Sequence, residues 1–192
     1  MSADLGRIAR GLHAPEAAVA GFEEIERRAA VAAVFSPGDA LKVLLMRRAE
    51  RPGDRWSGQV SFPGGHAEPV DPDLASTARR ETREEVGVDL EAAELLGCLP
   101  TRRAKARGRA VPMTITPFVF VVDEPPKLDL GPEAAHAFWL PFGPALDGEL
   151  DDHYLYDTGA ARIRLPAWRH EADVIWGMTY EMLQELGALA RA

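Results

Sequence analysis

The residues best suited to chemistry stand close together in Arg79-Arg80-Glu81-Thr82-Arg83-Glu84-Glu85-Val86-Gly87-Val88. At helical spacing Glu81, Glu84 and Glu85 are related by i, i+3 and i+4. They then share one face, with Cβ atoms about 5–6 Å apart. Three carboxylates this close repel one another. Hard divalent cations relieve such repulsion, because Mg²⁺ and Mn²⁺ prefer oxygen ligands and keep open positions for water and phosphate. Arg80 lies on the adjoining stripe, placed to pair with one of the glutamates. The same pattern also describes a solvated helix face laced with ion pairs. The surroundings favour the built site: Gly64-Gly65 precedes the cluster, Gly87 follows it, and the opposite helix face is small and apolar.

These residues need a frame. Residues 73–86 read as the helix that carries them, with Leu74, Ala75, Ala78, Thr82 and Val86 at helical spacing and Gly87 as its stop. Residues 29–35 and 41–47 read as buried strands joined by the turn Ser36-Pro37-Gly38-Asp39. A Gly/Pro-rich loop then runs to Ser61-Phe62-Pro63-Gly64-Gly65. Strands are expected at 94–99, 113–122 and 136–140, with Pro117 implying a bulge or an edge position. A hairpin is expected at 153–165. An amphipathic helix is expected at about 174–191, carrying Ile175, Met178, Met182, Leu183, Leu186 and Leu189. The first 28 residues read as a polar helical segment interrupted at Pro15 and packed on a single domain of residues 29–192. Strands that do not alternate regularly with helices indicate an α+β fold rather than a doubly wound sheet.

Composition narrows the function. The 192 residues carry a net charge of −8. This disfavours a sequence-nonspecific nucleic-acid binder, whose affinity comes from phosphate neutralisation by Lys and Arg. It leaves a phosphorylated small-molecule substrate open, provided that cations lie between substrate and carboxylates. No stretch approaches the roughly 20 apolar residues of a membrane span, and the N-terminus lacks the apolar core of a signal peptide. The single cysteine, Cys98, lies in an apolar run and reads as a small buried hydrophobe. A cytoplasmic protein is expected, as a monomer or a homodimer.

The cluster and its flanks resemble the signature box of the Nudix hydrolases, supplied here by Gly65, Arg80, Glu81, Glu84, Glu85, Gly87 and Val88. Thr82 takes an apolar slot. The interval from Gly65 to Arg80 is one residue longer than the family's, which puts Pro72 where a loop-ordering Glu is expected and leaves Asp71 or Asp73 to serve. The resemblance implies an α/β/α sandwich around a mixed sheet and hydrolysis of a pyrophosphate bond with Mg²⁺ or Mn²⁺. It implies Glu81, Glu84 and Glu85 as metal ligands, and Glu81 or Glu133 as general base. The longer interval, with Leu44-Leu45, Arg48, Gly58 and Phe62-Pro63-Gly64-Gly65, resembles the coenzyme A pyrophosphatase branch. In that pattern Asp54 falls where a second Arg is expected, between Arg51 and Arg55. The resemblance places Arg48, Gly64 and Gly65 at the substrate. The basic run Arg102, Arg103, Lys105, Arg107 and Arg109 reads as a loop, either a clamp for substrate phosphates or a solvated connection. His66 reads as a loop residue, and Trp56, Phe62 and Trp139 as packing. Two other readings remain: a Nudix hydrolase of another substrate (ADP-ribose, a dinucleotide or a nucleoside triphosphate), and a non-catalytic nucleotide-sensing module.

Overall fold

A computed structural model describes residues 3–17, 27–54, 56–106, 109–159 and 161–192. The two strands expected at the start of the domain are β1 (Arg28–Ser36) and β2 (Lys42–Arg48). They pair at Phe35↔Val43 and Ser36↔Lys42 and then part. The segment after β2 fills the wedge between them. Its first piece, β3 (Val60–Ser61), pairs with β2, and its second, β4 (Gly64–His66), pairs with β1. Between these, Pro63 O accepts the Ala32 N–H at 2.8 Å. The glycine turn is thereby built into the sheet.

The chain continues through α2 (Leu74–Val86), β5 (Glu94–Cys98), β6 (Arg102–Ala106), β7 (Arg109–Val121) and β8 (Ala134–Pro141). β7 runs parallel to β1 on its far side, whereas β5 and β6 lie antiparallel beyond β7 and β8 lies antiparallel along β2. The sheet is therefore mixed. Alternation along β1 sorts its side chains between two cores, as the period of two requires. Ala30, Ala32 and Val34 meet Ala75, Ala78 and Val86 of α2. Ala33 and Phe35 face the opposite way, toward Leu5 and Ile8 of α1 (Ala3–Gly11) and Leu183 and Leu186 of α4 (Gly177–Arg191). Helices thus cover both faces, in the α/β/α arrangement that the resemblance implies. After β8 come a short helix, α3 (Phe142–Leu146), and a separate antiparallel sheet of β9 (Asp151–Asp157), β10 (Arg162–His170) and β11 (Asp173–Trp176). β9 and β10 are the hairpin expected at 153–165, extended at both ends. Cys98 is buried and free, as expected. No helix of the described residues is long and apolar enough to cross a membrane.

Three expectations need correction. The last helix begins at Gly177, not near 174, because Ile175 lies in β11 opposite Trp168. The β-branched pair Val174-Ile175 suits a pleated surface, and Gly177 turns the chain out of it with φ 62. Pro117 is neither a bulge nor at an edge: it lies inside β7, opposite Val31 of β1. The Thr114 and Val122 N–H groups point to β1, so alternation turns position 117 to the other side. There β5 ends at Cys98 and β6 begins only at Arg102, so the missing Pro N–H breaks no rung. The basic run is likewise not a loop between strands but β6 and the start of β7, paired as a hairpin. Of the expected N-terminal segment, Ala3–Gly11 is helical and Pro15–Ala17 forms a 3-10 turn. Residues 18–26, Arg55, Arg107 and the Arg109 side chain lie outside the described residues.

Candidate active site

The wedge between β1 and β2 is where the glycines and the glutamates meet. Gly64 adopts φ 149, and a Cβ there would lie 2.3 Å from Ala30 O and 2.5 Å from the Val31 Cα. A Cβ on Gly65 would lie 2.5 Å from the Glu81 carboxylate. Only glycine lets the backbone pass between strand and helix at this separation. Above it, α2 starts at Asp73, whose side chain accepts the Ser76 N–H at 2.7 Å, and ends at left-handed Gly87. Thr82, in the apolar slot, is buried and donates its hydroxyl to Ala78 O at 2.6 Å. The slot therefore holds no unsatisfied hydroxyl.

Glu85 is only 2% exposed and accepts the Gly64 N–H at 2.8 Å. Burial pushes its carboxyl up to about 7, against the pull of that N–H and of Arg48, and Glu81 and Glu133 push it further. Glu81 is also raised, first by desolvation and then by Glu84 and Glu133, with Arg80 opposing. Glu84 is 59% exposed. Arg80 knits this side together: Nη1 reaches Glu81 at 3.0 Å and Glu84 at 3.2 Å, and Nη2 donates to His66 O at 3.0 Å. Its Nε and Nη2 grip Asp71 at 2.9 and 3.0 Å. The guanidinium, with burial opposing, holds the Asp71 carboxyl down at about 2. Asp71 also accepts the Glu68 N–H and the Thr77 hydroxyl, both at 2.9 Å. Of the two substitutes for the missing box Glu, Asp71 ties the loop and Asp73 caps the helix.

The opposite wall comes from the loop after β2 and the approach to β8. Arg48 reaches Glu85 at 3.4 Å, Asp54 at 3.1 Å and Glu133 at 3.8 Å. Arg51 reaches Glu133 at 3.0 Å and donates to Pro132 O at 3.0 Å. The sequence reading had not placed Arg51 and Asp54 among the site residues. Their signal was the imperfect upstream pattern, in which they stand at and beside the expected second Arg. His66 contacts Arg27 at 3.3 Å, and its pKa is lowered by burial and by the charges of Arg27 and Arg48. Two residues of the basic strand are paired with α4 instead. Arg102 pairs with Glu185 at 2.5 Å and Lys105 with Glu181 at 3.9 Å, both on α4. Arg103 is exposed and makes no ion pair among the described residues. Phe62 is buried in the core, and Trp56 and Trp139 are half-buried.

The donor set suits a hard divalent cation. It is all oxygen, and two of its carboxylates are held where ionisation is costly, a cost that a cation removes. Glu81, Glu84 and Glu85 could hold one. In this arrangement Arg48 and Arg80 neutralise them instead, and among the described residues no three acidic, His or Cys side chains converge on a common point. Two cavities adjoin partners of the site, Asp71 in one and Asp54 in the other, and neither is lined by the glutamates of the cluster. One, of about 540 Å³, is lined by Pro15, Arg28, Asp71, Leu74, Arg79 and Phe118 among others. The second, of about 270 Å³, is walled by Arg27, Asp54 and Trp56 and adjoins the Arg48 side.

The family model of the NUDIX domain matches residues 26–157. The human mitochondrial coenzyme A diphosphatase NUDT8 is 30% identical over 160 residues, covering 81% of this chain and 67% of that protein. An uncharacterized protein of Schizosaccharomyces pombe is 37% identical over 123 residues, which cover 62% of this chain but only 37% of that protein's length. The crystal structure of a NUDIX hydrolase from Alicyclobacillus acidocaldarius superposes with a TM-score of 0.54 at 22% identity, over 84% of this chain and 91% of that one. It shares the fold. With a family match over most of its length, and with Glu81 and Glu85 of the box set against the glycine turn, this chain belongs to the Nudix family.

Proposed function

We propose that this chain is a Mg²⁺- or Mn²⁺-dependent hydrolase that cuts the pyrophosphate bond of coenzyme A or its derivatives. The products would be 3′,5′-ADP and 4′-phosphopantetheine or its acyl form. The observation that carries this reading is the position of Arg48. Arg48 belongs to the upstream pattern that resembles the coenzyme A branch, and it lies against Glu85 of the box and within 3.8 Å of Glu133. The likeness to the human coenzyme A diphosphatase supports it.

Water attacks one phosphorus of the diphosphate, the bridging P–O bond breaks, and a phosphate leaves. Positioning and charge neutralisation dominate such a step. Glu81, Glu84 and Glu85 would hold the cation, which would neutralise the diphosphate oxygens and acidify the attacking water. Glu81, where the cation does not fully engage it, or Glu133 would take the proton from the attacking water. Arg80 bonds Glu81 on one side, while Arg48 and Arg51 hold Glu133 at the rim. Arg80 fixes the rotamers of Glu81 and Glu84, and Asp71 fixes Arg80.

The test is a substrate panel with Mg²⁺ or Mn²⁺: coenzyme A, ADP-ribose, a dinucleotide and a nucleoside triphosphate, with the products separated by chromatography. Coenzyme A should give the highest kcat/KM and the two named products. Much faster turnover of another compound would overturn the branch assignment. Metal-dependent turnover of none would make the protein a binding module.

A further inference from the structure

We propose that the cavity of about 270 Å³ beside the glycine turn is the subsite for the substrate's nucleobase, with Trp56 as its stacking wall and Arg27 as its cation. The proposal rests on the reading that the substrate is a nucleoside diphosphate derivative. The cavity is lined by Arg27, Gly53, Asp54, Trp56, Val111, Pro112 and Met113.

Its walls are continuous with the active site. Asp54 accepts from Arg48 Nε at 3.1 Å, and Arg48 touches Glu85. Arg27 touches His66, which directly follows Gly64-Gly65. The charges of Arg27 and Arg48 both bear on His66, which stands between the two walls. A diphosphate at the glycine turn would project one of its two substituents into this space.

The lining selects which substituent. Val111 and Met113 are buried in a small cluster with Ala29, Ala104 and Ala106, which makes a firm apolar floor. Trp56 packs on that cluster without sinking into it. Its Nε1–H donates to Lys105 O at 3.0 Å and its backbone N–H to the Asp54 carboxylate at 2.9 Å. A tryptophan bonded through both its ring N–H and its backbone N–H is a fixed platform. The volume is below the roughly 300 Å³ of pockets that take a whole drug-sized ligand, so the cavity receives a part of one. A compact space with an aromatic wall and a guanidinium fits a planar base better than a long flexible amide arm.

The experiment measures calorimetric binding of 3′,5′-ADP and of 4′-phosphopantetheine, with Mg²⁺, to the wild type and to Trp56→Ala and Trp56→Phe. Base–aromatic stacking is strong enough that Trp56→Ala should weaken 3′,5′-ADP about tenfold or more. 4′-Phosphopantetheine should be unaffected, and Trp56→Phe should retain most of the affinity. In turnover the change should fall on KM rather than kcat. Equal losses for both ligands, a loss confined to 4′-phosphopantetheine, or no loss would each overturn the proposal. ADP, which carries the base but not the 3′-phosphate, separates this failure from that of the coenzyme A reading. If ADP binding falls in Trp56→Ala while coenzyme A is not cut, the base subsite stands and the substrate assignment falls.

Discussion

Two clusters of charge stand out in this chain, one acidic on α2 and one basic on β6 and the start of β7, and the fold treats them oppositely. On α2, Glu85 is 2% exposed with its carboxyl pushed up to about 7, and glycines are required for the backbone to reach it. On β6, Lys105 is 57% exposed, and its partner on α4 lies 3.9 Å away across a solvated surface. Exposed pairs of the second kind contribute about 0–1 kcal/mol. A carboxylate held out of water stores a cost that only a partner removes. Charge density in sequence does not distinguish the two; desolvation does.

The largest effect should come from Glu85→Gln, which keeps the shape and removes the charge. Turnover at saturating Mg²⁺ should fall at least about a hundredfold, beyond the 10–100-fold loss typical of groups that merely support a metal ligand. The variant should still fold, because the neutral side chain suits a site that already resists ionisation. Activity near that of the wild type in a folded variant would remove the acidic cluster from the mechanism.

The same group gives the acidic cluster a pH signature. In the cation-free protein the Glu85 carboxyl lies near 7, against an ordinary value of 4.5. A raised carboxyl binds its proton more tightly folded than unfolded. Its contribution to stability is therefore complete below the ordinary value and is lost as pH rises through about 7. Cation-free wild type should lose melting temperature, relative to Glu85→Gln, between about pH 5 and about pH 8. Adding Mg²⁺ or Mn²⁺ should restore more at the upper pH than at the lower, as ligand linkage requires. Parallel pH profiles for the two proteins would show that burial of Glu85 carries no such cost.

Much of this arrangement was legible before the fold was known, and the remainder was hidden for physical reasons. Helix α2 carries its own punctuation, Asp73 at its start and Gly87 at its end, so its extent follows from local chemistry. The position of Gly64-Gly65 marks a close approach without saying what approaches. That answer is the parting of β1 and β2, a tertiary event. The choice between Asp71 and Asp73 likewise depended on which carboxylate the chain folds back onto Arg80. The basic strand was obscured by its own charges. Ala104 and Ala106 alternate with Arg103 and Lys105 between buried and exposed, but a register shift between Arg103 and Lys105 interrupts the pairing. β11 was absorbed into the following helix because its apolar residues run directly into those of α4.

An intermediate effect should follow from Asp71→Asn. The amide keeps one acceptor but presents N–H groups to a guanidinium that donates two bonds to the wild-type carboxylate. Charge-assisted hydrogen bonds contribute about 1.5–3 kcal/mol, so the melting temperature should fall by several degrees in a chain of this size. The wild-type carboxyl, held at about 2 against an ordinary 3.8, stabilises the fold above the ordinary value and loses that contribution as pH falls through about 2. Asp73→Ala, which removes only a cap, should cost about 1 kcal/mol and leave Arg80 in place. Equal effects on turnover from the two variants would deny Asp71 its loop-tying role.

The smallest effect should come from the basic strand, and it tests the comparison from the other side. Lys105 pairs with Glu181 of α4 across an exposed surface, so Lys105→Ala should cost stability of about 1 kcal/mol or less, whereas Arg102 is half-buried against Glu185 and its removal should cost more. The Lys105 loss should shrink as salt rises, because exposed pairs are screened. Arg103 has no such partner among the described residues and remains the member free to reach a substrate phosphate. If it does so, Arg103→Ala should raise KM for coenzyme A while leaving 3′-dephospho-coenzyme A unchanged, since only the former carries the 3′-phosphate. An exposed contact of this type, worth less than the full charge-assisted value, amounts to a few-fold change. It should vanish in high salt and leave kcat alone, because a contact made equally in ground and transition states affects only binding. An unchanged KM for both compounds would reduce the strand to a strut against α4. A selective loss from Arg102→Ala instead would mean that the Glu185 pair opens when substrate binds, and that the basic strand exchanges an internal partner for a phosphate as α2 would exchange its arginines for a cation.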